Sequence, residues 1–89
     1  MNYDIVWDVA AYRKLQRIWD EAMPIGPAVD AFDEIERQLS ESPEQAGESR
    51  PRGRRIVIVA PLGVIFRVNQ RIREVHILDV WAFPRRKSQ

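Results

Sequence analysis

Residues 54–82, RRIVIVAPLGVIFRVNQRIREVHILDVWA, decide the fold. Three runs in this stretch, Arg54–Ala60, Gly63–Asn69 and Arg73–Ala82, are rich in isoleucine and valine, whose branched side chains favour extended chain. Ala60-Pro61-Leu62-Gly63 suits a tight turn, with proline second and glycine fourth, and Asn69-Gln70-Arg71 makes the next. Strands joined this closely pair antiparallel, because a parallel pair needs a long crossover. The spacing therefore predicts a three-stranded meander. On its middle strand Val64, Phe66 and Val68 share one face, while Gly63, Ile65, Arg67 and Asn69 share the other.

Upstream the period changes. Tyr3–Trp7 reads as a short strand, and Asp8 can cap a helix whose apolar stripe is Ala11, Leu15, Ile18, Trp19 and Ala22. Pro24 and Gly26 stop that helix, and Pro27 suits the first turn of a second, striped by Ala28, Phe32, Ile35 and Leu39. Asp30, Asp33 and Glu34 fall in its early turns, where the macrodipole favours anions. Pro43 ends it, and Glu44–Gly53 reads as a polar loop. The expectation is one α+β domain over residues 1–89, ordered β-α-α-β-β-β, with two helices packed on the Val64-Phe66-Val68 face of an antiparallel sheet. Trp7, Trp19 and Phe32 are expected in its core.

Charge divides the chain in two. Residues 1–49 carry a balance of −7 and residues 50–89 a balance of +8, so the total of +1 hides a dipolar molecule. Twelve of the fourteen basic residues are arginine, whose planar fork grips phosphate and carboxylate better than lysine does. The acids fall on the helices and the arginines on the sheet, which points the sheet at an anionic partner, nucleic acid first. The alternative is two halves that neutralise each other within the fold. Cysteine is absent, which excludes a disulfide framework, a thiolate metal site and a cysteine nucleophile. The N-terminus lacks a basic region followed by an apolar run, and no stretch approaches the roughly 18 apolar residues of a membrane span. A soluble, cytoplasmic protein without membrane contact or cofactor is expected.

The element order, with Ile5-Val6-Trp7, Pro61-Leu62-Gly63-Val64-Ile65-Phe66-Arg67-Val68 and Arg73-Glu74-Val75-His76-Ile77-Leu78-Asp79-Val80-Trp81, resembles the RelE/ParE superfamily of toxins from type II toxin–antitoxin operons. Gly47-Glu48-Ser49-Arg50 followed by Arg54-Arg55 and the Pro-Leu-Gly turn marks a divergent branch. The resemblance implies a cognate antitoxin as partner and one of two targets, or else a catalytically degenerate relative. Some members are metal-independent endoribonucleases that cut messenger RNA in the ribosomal A site, using arginine, lysine, histidine and tyrosine. Others poison DNA gyrase and are not enzymes. The nucleases usually carry a basic residue where the second meander strand begins and another just past the last strand. Those places hold Gly63 and Ala82 or Phe83 here, Ile56-Val57-Ile58-Val59 is wholly apolar, and the C-terminal tyrosine has no counterpart.

The remaining candidates each have two readings. Arg67 can hold a phosphate on the open side of the sheet, or be a solvated strand arginine. Trp81 can stack on a base, or serve the core or the antitoxin interface. His76, the one histidine, can move a proton near neutral pH, or be packed in the strand; it has no partner at metal-ligand spacing. Arg50, Arg54 and Arg55, with Arg52, make one basic run, and Arg85, Arg86 and Lys87 another. Both runs suit RNA or an acidic protein segment. Arg50 stands out because Glu48 and Ser49 can fix its orientation. The catalytic candidates are thus Arg67, Arg50 and His76, and the binding candidates Arg50, Arg54, Arg55, Arg67, Trp81, Arg85 and Arg86.

Overall fold

A computed structural model describes residues 2–22 and 24–83. Its elements are β1 (Asp4–Trp7), α1 (Val9–Glu21), α2 (Gly26–Glu41), β2 (Glu48–Arg50), β3 (Arg54–Val59), β4 (Leu62–Asn69) and β5 (Glu74–Ala82). The Asp8 carboxylate accepts the Ala10 N–H at 3.1 Å, satisfying one of the orphan donors at the start of α1. α1 buries Ala11 and Leu15, and α2, with Pro27 in its first turn, buries Ala28, Ala31, Ile35 and Leu39. Phe32 stacks on Trp7 at 6.1 Å and meets the edge of Trp19 at 5.5 Å. These three aromatics form a half-buried seam joining α1, α2 and β1. The deepest positions belong instead to Phe66, Leu62, Leu39 and Val75, all at 0% exposure.

The acids of α2 lie beyond its first turn. Glu34 pairs sideways instead, accepting from Arg37 Nη2 at 2.6 Å, Arg37 Nε at 3.0 Å and Gln38 Nε2 at 2.9 Å. The hydrogen bonds from Arg37, then Gln38, hold its carboxyl down at about 2, against an ordinary 4.5. A carboxyl depressed on folding contributes stability that is complete above its unfolded value and lost as pH falls through its folded value. Acid titration followed by circular dichroism should therefore show Tm falling between pH 4.5 and about 2, and falling less in Glu34→Gln. Parallel curves would mean that solvent screening removes the pair's contribution.

The sheet order is β1-β5-β4-β3-β2. β3, β4 and β5 form the antiparallel meander that the sequence predicts. Val59 pairs with Leu62, so the connecting loop is only Ala60-Pro61, joined by a cis peptide, and proline stands third in the turn rather than second. β1 joins the far side of β5 in parallel, from Asp4 against Glu74 to Trp7 against Ile77. The polar loop expected over Glu44–Gly53 needs correction: Glu48–Arg50 forms a strand against β3. Pro51–Gly53 makes this possible as a 3-10 turn in which Arg52 and Gly53 adopt left-handed φ values of 66° and 72°. Among the described residues the sheet thus has five strands.

One irregularity governs β5. Ile65 pairs with Asp79 and Phe66 with Ile77, which leaves Leu78 as an extra residue in a β-bulge. Simple alternation would send Ile77 and Val80 to opposite faces. The bulge lets Val75, Ile77 and Val80 all reach the core, at 0–1% exposure. They meet Val57, Leu62, Val64, Phe66 and the helices there, leaving the other face of the sheet open. Among the described residues no helix is long and apolar enough to cross a membrane.

Candidate functional site

The strand register draws a line of charge across the open face. Arg50 pairs with Arg54, Arg54 with Arg67, Arg67 with His76, and His76 with Val6. Residues directly opposed across strands point to the same face with Cα atoms about 5 Å apart. Three guanidinium groups and an imidazole therefore stand in one row over four strands. The arginines are exposed and His76 is half-buried.

Arg50 is oriented as its neighbours suggested, donating from Nη1 to Glu48 Oε1 and to the Ser49 carbonyl, both at 3.0 Å. Among the described residues neither Arg54 nor Arg67 is ion-paired. Like charges directly opposite each other destabilise a sheet. Nothing in the fold itself gains from this pair, and a bound anion would relieve the repulsion. A concavity of about 620 Å³ opens at the His76 end, lined among others by Arg67, Asn69, Arg71, Glu74 and His76. The sequence places Asn69 on this face and Arg71 in the adjoining turn, but neither they nor Glu74 are among its site candidates. A second cleft, about 650 Å³, lies between α1, α2 and the β3–β4 hairpin. Its lining is apolar apart from Glu21, so the basic chemistry is not there.

The other candidates separate. Arg55 leaves the binding set: it pairs with core-facing Phe66 and so lies on the helix side. Its guanidinium donates to the carbonyls of Ala46 at 3.0 Å and Gly47 at 3.3 Å, which makes it a strut for the loop before β2. Trp81 is on the open face opposite Gly63 rather than in the core, and a Cβ at position 63 would come within 2.5 Å of its ring. Asp79 is held by Lys14 of α1 at 2.8 Å. Arg85, Arg86 and Lys87 lie outside the described residues.

No family model matches the sequence, and no curated protein matches it significantly. Solved structures do. A chain of the RelBE2 toxin–antitoxin complex from Mycobacterium tuberculosis superposes with a TM-score of 0.72 at 22% identity, over 92% of each chain. A chain of the chromosomal ParDE toxin–antitoxin system from P. aeruginosa superposes with a TM-score of 0.68 at 27% identity, over 92% of this chain and 97% of that one. The chain has the fold of RelE/ParE-type toxins. It shares the RelE/ParE plan of two helices on a mostly antiparallel sheet. Within that RelE/ParE plan, the places where the nucleases are expected to carry basic groups are built otherwise. Gly63 lies beneath Trp81, Ala82 pairs with Leu62, and the Phe83 N–H donates to the Pro61 carbonyl at 2.7 Å. Here Arg50, Arg54, Arg67 and His76 form a basic row on the open face instead.

Proposed function

We propose that this protein is the toxin of a type II toxin–antitoxin pair, and that it inhibits translation by ribosome-dependent, metal-independent cleavage of messenger RNA. The observation that carries this reading is the register of Arg54, Arg67 and His76, which aligns two guanidinium groups that have no ion-pair partner among the described residues with a proton-transfer group on one exposed face. Arg54 and Arg67 would hold the scissile phosphate and stabilise the charge that builds on it in the transition state. The ribose 2′-oxygen would attack phosphorus while the 5′-oxygen leaves. His76 would take the proton from the first or return one to the second. One imidazole is a sparse proton-transfer set, which fits a substrate that the ribosome positions for it.

A second reading has its own observation. The apolar Ile56, Ile58 and Ile65 with Trp81, at the positions away from the basic row, suit a non-enzymatic toxin that binds a protein target such as gyrase. Induced expression without the neighbouring antitoxin gene should arrest growth, and co-expression of that gene should restore it. Mapping transcript ends then separates the readings. New ends within translated messages support cleavage, whereas arrest without new ends supports the protein target. Normal growth at high soluble expression in the native host would remove the toxin reading altogether.

A further inference from the structure

The basic row is only part of the open face. Two residues further along the strands, about 7 Å away, Ile56 and Ile65 stand side by side. The following row sets Ile58 opposite Gly63 and Gly63 opposite Trp81. Ile58 is 52% exposed, and Ile56, Ile65 and Trp81 are half-buried. Because a Cβ at Gly63 would lie 2.5 Å from Trp81 Cζ2, the absence of a side chain is what lets the indole lie against the strand. The result is an apolar floor parallel to a line of positive charge. The two acids in the intervening row leave no bare anion, since Glu48 is paired with Arg50 and Asp79 with Lys14.

We propose that this floor is a base-stacking subsite for single-stranded RNA, whose phosphates lie on Arg54 and Arg67 and whose bases lie on Trp81 and Ile58. The inference rests on the RNA reading above. Charge complementarity selects the occupant: a single strand has an anionic edge and a flat, apolar edge, and the Trp81–Ile58 row, about 13 Å along the strands from the Arg54–Arg67 row, is within reach of an extended strand of two or more nucleotides. A duplex encloses its bases and offers only the anionic edge. Stacking on an aromatic ring tolerates any base, so the subsite confers affinity with little sequence preference.

The test compares two labelled strands of about eight nucleotides, one intact oligoribonucleotide and one abasic strand of equal length, by fluorescence anisotropy with the purified full chain at low salt. The intact strand should bind roughly tenfold or more tightly than the abasic one. Trp81→Ala should erase that difference. Ile58→Glu, at an exposed position outside the core, should erase it without lowering Tm. Arg67→Ala should weaken both strands alike. Equal affinity of the wild type for both strands would overturn the base subsite and leave the RNA reading standing. An unchanged ratio in Ile58→Glu would also overturn it, in favour of a protein partner on the floor. Failure to bind either strand would also overturn the subsite, while the cleavage reading is decided separately by the mapping of transcript ends on ribosomes.

Discussion

Arg67→Ala is expected to lower messenger cleavage on translating ribosomes by on the order of 10²-fold or more, with Tm unchanged or raised. The two effects have separate causes. Arg67 sits between Arg54 and His76 in the row, so its guanidinium is the one donor adjacent to both the other cation and the proton-transfer group. It is exposed and, among the described residues, has no ion-pair partner, so removing it breaks no ion pair of the fold. Removing one of two opposed like charges can only reduce their repulsion. His76→Gln should cost a comparable factor, about 10²–10⁴-fold, because an amide keeps hydrogen bonding but cannot carry a proton. Primer extension in a reconstituted translation system measures both variants. Wild-type cleavage by Arg67→Ala would mean that the row is not the site.

The second large effect is on stability. Gly47→Ala is expected to cost about 2–4 kcal/mol, a large share of the roughly 5–15 kcal/mol that holds a domain of this kind together. Gly47 has φ +61°, and a Cβ there would lie 1.8 Å from the Ile56 carbonyl oxygen and 2.8 Å from Val57 Cα. Both obstacles are backbone of β3, which is paired on both sides and cannot step back. Arg55 fixes the loop from the other direction through the carbonyls of Ala46 and Gly47. Gly53→Ala is the control. Gly53 also has a left-handed φ, of 72°, but its Cβ would meet open space, so only the backbone cost of roughly 1–2 kcal/mol applies. Urea denaturation of the two variants gives the difference, and equal midpoints would show that the close approach at Gly47 carries no energy.

The meander was legible because its pattern is strong: period-two runs of isoleucine and valine, separated by connections too short for anything but antiparallel pairing. Both helices were legible from their stripes, from Asp8 and from Pro27. The strand Glu48–Arg50 was not, because three exposed polar residues have no periodicity to read, and what makes them a strand is the left-handed turn at Arg52 and Gly53. Part of the site could have been found. Once Val59 and Leu62 flank a two-residue loop, counting outward brings Arg54 opposite Arg67. The rest could not, since without the extra residue Leu78 the same counting would set Ile77 against Arg67 and turn His76 toward the core. Arg55 looked like its neighbour Arg54 in sequence, and only the face it occupies distinguishes a strut from a binding group.

The parallel contact between β1 and β5 bears on the order of events during synthesis. Residues 4–7 are made well before their partners, residues 74–77 of β5, which lie 70 positions further along the chain. Until that strand emerges, β1 has no edge to join, and the helices it precedes lack much of the surface they cover. Contacts this distant in sequence are made late, after the entropy of closing a long loop has been met. β5 also carries His76, so the sheet and its row of charge are completed together. A growing chain that stalls before residue 76 therefore holds the arginines without their imidazole neighbour.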